Sequence, residues 1–411
     1  MNLEIQLIDL ELGDKSMFNI KFKLSKDILK DNALKFIVLL GLVSLLGDMT
    51  YEGARSITGP YLALLGASAA AVGFVSGFGE LVGYSLRFVS GYLADKSRQY
   101  WALTIIGYAV NLLAVPLLAL AGNWPMAALL LIAERMGKAI RTPPRDVMLS
   151  NATSQVGRGW GFGLHEAMDQ IGAILGPLIV AIILYYYGNY QTGFTFLLLP
   201  AILALAVLVT SRFLYPHPHD LEIQVPKLKT KGLMRVYWIY IVAVVFIALG
   251  FADFPLVAYH FQKVQLVAPV MIPIFYSVAM GVDALAALLF GRLFDKIGMW
   301  ALIMAVMCSA FFAPLVFWGD FNLALLGMAL WGVGMGAQES IMRASVAEMS
   351  PFKVRGSAYG VFSTIYGFSW FVGSFILGLL YDFSFTSMVM FSLGAQLLSV
   401  IPLFIIRNYR P

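Results

Sequence analysis

The stretch "LLGDMTYEGARSITGP" (45–60) places Asp48, Glu52 and Arg55 directly after the apolar run "KFIVLLGLVS". At 3.6 residues per helical turn the three fall within about 60° of one another, with Ser44 and Tyr51 close by, so they form one polar face. Glu52 and Arg55, at i and i+3, are placed to pair, either along a solute pathway or as a lock between neighbouring helices. Asp48 has no base three or four residues away. A carboxylate in that setting is suited to bind and release a proton.

A second cluster lies in "GLHEAMDQIGAILGP" (163–177), where His165, Asp169, Gly172 and Gly176 share a helical face and Glu166 points about 100° away. The glycines allow close helix packing beside the charges; His165 and Asp169 then serve either proton transfer or a cross-link between helices. Glu80 and Arg87, seven residues apart on one face, could pair with this cluster. His165-Glu166-x-x-Asp169 has a zinc-helix outline, but Asp169 stands where the second histidine is required and His217, His219 and His260 fall in connections. The chain is therefore not read as an enzyme, and no metal or cofactor is assigned. Further polar residues interrupt later apolar runs: Asp253, Asp283, Gln338, and Glu339 with Arg343 at i,i+4.

The elements that must hold these side chains follow from composition. The 411 residues are 60% hydrophobic and only 12% charged, about half the charge of a soluble domain. Twelve apolar runs of roughly 20 residues recur, near 36–59, 69–93, 101–121, 125–142, 160–184, 193–214, 236–258, 269–290, 300–318, 323–343, 357–380 and 387–406. In hydrocarbon every backbone group must be paired internally, so the runs are helices and the chain is an all-α membrane protein. Counted from Lys35 at 1.5 Å per residue, Asp48 lies ~20 Å along its helix, well inside the bilayer. A charged face at that depth has to line a cavity or find partners.

Residues 1–35 are mixed and charged, with "LEIQLIDLEL" alternating like a strand, and read as a cytosolic lead-in. The basic residues Lys96, Arg98, Lys138, Arg141, Arg145, Arg158, Arg212 to Arg235, Arg292, Lys296, Lys353 and Arg355 fall on alternate connections, against only Lys263 on the others. By the positive-inside rule both termini are cytoplasmic in a cell (plasma) membrane, and the basic balance reflects orientation, not nucleic-acid binding. Cys308 is the sole cysteine, which excludes an internal disulfide.

Two landmarks repeat. "GYLADKSR" (91–98) after the second run returns as "GRLFDKIG" (291–298) after the eighth, and "GRGWGFG" (157–163) returns as "VRGSAYG" (354–360). The polar stretch "YPHPHDLEIQVPKLKTKG" (215–232) separates the copies. The expected domains are a lead-in (1–35), a six-helix bundle (36–214), a cytosolic linker (215–235) and a second six-helix bundle (236–411), the parallel repeat of a rocking transporter.

On these residues the chain resembles the major facilitator superfamily from about residue 34 to 408. Gly91, Asp95 and Lys96, with their copy Gly291, Asp295 and Lys296, resemble the motif after the second helix, with Arg98 replacing a usual glycine. "GAILGP" (172–177) resembles the fifth-helix motif of antiporters, with Val180 and Ala181 in place of its closing glycines. In the fourth run Arg135 alone matches a third motif. The loop "GKAIRTPPRDVML" (137–149) resembles one prokaryotic branch. The resemblance implies that runs one, four, seven and ten line the cavity, which brings forward Asp48, Glu52, Arg55, Glu134, Arg135, Asp253, Gln338, Glu339 and Arg343.

The expected function is secondary active transport of a small solute by alternating access, coupled to protons, with export by antiport favoured. Proton-coupling candidates are Asp48, Glu52, Glu134, His165 and Asp169; substrate-cavity candidates are Arg55, Arg135, Asp253, Gln338, Glu339 and Arg343. Gly91, Asp95, Lys96, Gly291, Asp295 and Lys296 are gating candidates, the two aspartates each placed to meet the positive N-terminus of a helix in the other bundle. The expected partners are a small-molecule substrate, protons and the lipid bilayer, with the chain a monomer. A uniporter is the alternative within transport, and a transport-inactive sensor or scaffold is the alternative outside it. No P-loop is present, so ATP is not the evident energy source.

Overall fold

The protein is built from helices that leave few backbone groups for the bilayer to satisfy, as the apolar runs require. The computed structural model describes residues 2–216, 235–350 and 355–407; the expected linker lies almost wholly outside them, with His217, His219 and Lys353. The first bundle contains α1 (Asn2–Leu64), α2 (Ala69–Ser97), α3 (Tyr100–Leu117), α4 (Trp124–Val156), α5 (Arg158–Tyr187), α6 (Tyr190–Phe196) and α7 (Leu198–Leu214). The second contains α8 (Arg235–Gly250), α9 (Phe254–Val264), α10 (Met271–Ile297), α11 (Met299–Ala310), α12 (Phe312–Trp318), α13 (Phe321–Met349), α14 (Arg355–Phe383) and α15 (Phe385–Ile406). Among the described residues 11 spans are long and apolar enough to cross a membrane, with α6–α7, α8–α9 and α11–α12 each making one broken span. The twelfth is α4, whose length suffices but whose Glu134, Arg135, Lys138, Arg141, Arg145 and Asp146 lower its apolarity.

Three expectations are corrected. The lead-in is helical, since α1 runs unbroken from Asn2; a lone strand has no neighbour to pair with, whereas a helix closes its own hydrogen bonds. Helix α4 does not end near 142, and Lys138, Arg141 and Arg145 lie within it instead of in a connection. Each base has a partner there, Asp48 for Arg141, Asp146 of α4 itself for Arg145 and the Tyr51 hydroxyl for Lys138, so the helix can carry them inward. His260 is no loop residue: it sits in α9, 3% exposed, with Nδ1 2.9 Å from the Tyr381 hydroxyl.

The bundles meet mainly through α2 against α14, α5 against α10 and α1 against α9. One face carries the Leu64–Ala69 connection and its equivalents, and is called distal; the other carries the Ser97–Tyr100 connection, and is called terminal. At the distal face backbones touch. A Cβ at Gly59 would meet the backbone of Pro255, one at Gly73 that of Ser374, and one at Gly378 that of Ala69 and Ala70. Towards the terminal face the spacing reverses, and Gly83, Gly163, Gly291 and Gly360 have no heavy atom within 4 Å of a built Cβ. The molecule is closed distally and open terminally.

Candidate functional site

The polar face of α1 is buried where the two bundles meet. Asp48 and Glu52 are each 7% exposed. Arg55 Nη2 reaches Asp253 Oδ1 in the second bundle at 2.6 Å, Glu80 Oε1 at 3.7 Å and, through Nη1, Glu52 Oε1 at 3.9 Å. The Tyr276 hydroxyl of α10 donates to Glu52 Oε2, a second bond between bundles. Arg135 extends the network on α4, with Nη1 3.4 Å from Glu80 Oε1 and Nε 3.3 Å from Glu134 Oε2. Glu134 also accepts from Asn111 Nδ2 at 2.7 Å. Buried charges cost several kcal/mol when alone, which is why each guanidinium here has two or three carboxylates around it.

Asp253 owes its place to a break in the seventh span. Helix α8 stops at Gly250 and α9 restarts at Phe254, with Pro255 in its first turn and Asp253 as N-cap accepting from the Phe254 amide at 2.9 Å. The freed carbonyls are satisfied by neighbours: Ser392 Oγ donates to Gly250 O and Trp331 Nε1 to Ala252 O. The break thus turns a capping carboxylate towards Arg55. A small cavity adjoins it, lined by Tyr51, Arg55, Thr58, Glu134, Arg135 and Asp253 among others.

Asp48 belongs to a second charged group confined to the first bundle. Arg141 Nη2 lies 4.0 Å from Asp48 Oδ1, and Lys138 Nζ donates to the Tyr51 hydroxyl at 2.6 Å. Arg145 Nη1 donates to Ser44 Oγ at 3.0 Å while its other nitrogens hold Asp146. His165 Nδ1 stands 3.6 Å from Asp169 Oδ2. Gly172 and Gly176 bring α5 onto the α1 backbone at Leu45 and Met49, which sets Asp169 beside Asp48. Glu80 and Arg87 do not join this group, because Glu80 faces Arg55 and Arg135 instead.

Sequence reasoning missed Lys138, Arg141, Arg145 and Tyr276. The first three had a signal: with Glu134 they repeat at intervals of four, three and four residues, one stripe on a helix. Tyr276 had none, since an aromatic in an apolar span reads as packing. In the second bundle Gln338 accepts from the Tyr366 hydroxyl at 2.9 Å. Glu339 and Arg343 are both exposed, and their spacing closes no ion pair within 4.0 Å. Asp95, Lys96, Asp295 and Lys296 are likewise exposed at the terminal face. Among the described residues no group of three His, Cys, Asp or Glu is arranged to hold a metal ion.

Residues 37–374 match the sequence model of the Major Facilitator Superfamily. The chain belongs to that family. It is 40% identical over 384 residues to an uncharacterised protein of Mycobacterium tuberculosis, covering 92% of this chain and 94% of that one. It is 28% identical over 365 residues to an uncharacterised MFS-type transporter of Methanocaldococcus jannaschii, covering 85% and 89%. A crystal structure of a point mutant of the nucleoside transporter NupG superposes with a TM-score of 0.75 at 14% identity, covering 90% of this chain and 99% of that one, a likeness of fold. The protein is a multi-pass membrane transporter of the major facilitator fold.

Proposed function

We propose that the chain is a proton-coupled secondary transporter that moves a small solute by alternating access, with exchange across the plasma membrane favoured. The carrying observation is the charge arrangement on α1: Arg55 is bonded at 2.6 Å to a carboxylate of the opposite bundle, while Asp48 has its base only at 4.0 Å. The first contact must be remade whenever the bundles rock, which fits Arg55, Arg135 and Asp253 as substrate-site residues. The second leaves a carboxylate free to change its charge during the cycle, which fits a proton carrier. Glu52, Glu134, His165 and Asp169 stand within the same two groups as relay partners. Gln338, Glu339 and Arg343 would meet solute entering from the open terminal face, and that face is cytoplasmic in this reading. "GAILGP" supports exchange.

The test is transport in liposomes. Asp48→Asn abolishes substrate accumulation driven by a pH gradient yet retains substrate exchange at equal pH, because exchange needs the binding site but no net proton movement. Asp48→Glu keeps partial accumulation. Wild-type accumulation by Asp48→Asn would transfer the proton role to Asp169 or Glu134.

A further inference from the structure

Helix α2 begins at the distal face with a cap drawn from both bundles. Its first amides have no partner within the helix and need outside acceptors. Ser68 supplies one from its own chain segment, its side chain accepting from the Ala71 amide at 3.1 Å. The other two are held by Asp382, at the end of α14 in the second bundle. Its Oδ1 accepts from the Ala69 amide at 3.1 Å and its Oδ2 from the Ala70 amide at 2.8 Å. A carboxylate at a helix N-terminus gains both charge-assisted hydrogen bonds and the favourable end of the helix dipole. That gain exists only while the bundles touch distally.

Three observations make this more than an end cap. It crosses between bodies that must separate in an alternating-access cycle, whereas an ordinary cap stays within one. It lies over the crossing where Gly73 and Gly378 put the two backbones in contact, and Tyr190 of α6 donates to Gln262 of α9 at 2.8 Å on the same face. It is also unduplicated: α10, the pseudo-symmetric counterpart of α2, has Val270 at its N-cap position and no side-chain cap. Asp95 and Asp295, meanwhile, stand exposed at the open terminal face.

We propose that Asp382 is a gating residue, the distal latch that holds the outer mouth of the transporter shut in the state open at the terminal face. It rests on the alternating-access reading given above but on neither proton coupling nor the identity of the substrate. Breaking the latch leaves the Ala69 and Ala70 amides without their acceptor, while the Asp382 carboxylate is exposed already in the closed state, so its loss removes a bias towards the distally closed state.

The experiment reads distance without transport. In a Cys308→Ser background, spin labels at Leu120→Cys and Trp318→Cys, exposed positions at the distal ends of the two bundles, report the opening of that face. Asp382→Ala raises the ratio of long to short distances roughly tenfold, the weight of a charged cap. Asp382→Asn, which still accepts one hydrogen bond, gives an intermediate shift. Ser68→Ala removes the half of the cap that stays within the first bundle and leaves the distribution unchanged. An unchanged distribution in folded, monodisperse Asp382→Ala overturns the latch. So does an equal shift in Ser68→Ala, which would mean that fraying of α2 is being read. Should Asp382→Ala fail to fold, Asp382→Asn decides alone: wild-type distances overturn the proposal. None of these outcomes bears on the liposome test of Asp48, so the two readings fail separately.

Discussion

Arg141 is 1% exposed, its Nε and Nη1 find no hydrogen-bond partner among the described residues, and its nearest carboxylate stands 4.0 Å away. What holds the guanidinium is the Tyr108 ring, 4.1 Å from Cζ, together with the negative field of Asp48. Truncation to an apolar residue therefore removes the counter-charge of Asp48 and leaves a carboxylate in low dielectric. Arg141→Met should lower stability in detergent by about 3 kcal/mol, and by at least ~1 kcal/mol less when combined with Asp48→Asn, the pairwise term that a double-mutant cycle of unfolding measurements isolates. Equal costs in both backgrounds would show that Arg141 acts through packing alone. At this scale the sequence was partly legible. The charges of α1 announce themselves because they interrupt an apolar run, and the i,i+3 spacing of Glu52 and Arg55 gives their proximity. The partner from another bundle, Asp253, was visible as a buried acid but not as the acceptor of Arg55, because pairing across 198 residues depends on how the bundles dock.

At the scale of the element, two devices position the site: a break and a pair of glycines. The break in the seventh span is written in "GFADFP", a helix-ending glycine followed by a capping aspartate and a proline two residues later, a start signal that hydropathy averages away. The glycines of α5 act by size. A side chain at Gly176 would strike the backbone of Met49 and Gly53, whereas one at Gly163 meets open space. Gly176→Leu should therefore reduce the melting temperature of the purified protein and abolish transport, while Gly163→Ala leaves melting within a degree or two of wild type. A similar loss in both would mean that contact with the α1 backbone is not what excludes a side chain at Gly176, since both substitutions raise helix propensity. The end of α4 was misplaced for a physical reason as well. A dense run of basic residues resembles a cytosolic connection, and its partners, Asp48 and Tyr51 of α1 and Asp146 of α4, become evident only in the packed bundle.

The whole molecule is two bundles pressed together at one face. Its helix count, repeat and family were legible because they rest on hydropathy and on duplicated motifs, which docking does not alter. Which face is closed was not legible, since every conformation of a rocking carrier shares one sequence. Orientation remains a matter of charge: without Lys138, Arg141 and Arg145, the terminal face still carries Lys96, Arg98, Arg212, Arg292 and Lys296 against Lys263 distally. In a Cys308→Ser background, cysteine at position 96 should react with impermeant thiol reagents only from the cytosolic side, and cysteine at position 263 only from outside. Labelling of position 96 in intact cells would reverse the assignment. The backbone contact at Gly73 adds a mechanical consequence. From that point α2 extends 24 residues to Ser97, a lever arm of about 36 Å. A tilt of only about 10° around such a fulcrum sweeps its far end through about 6 Å, more than a water molecule's width. A small change of angle at the tight crossing is thus enough to shut or clear the wide mouth, with no helix needing to bend.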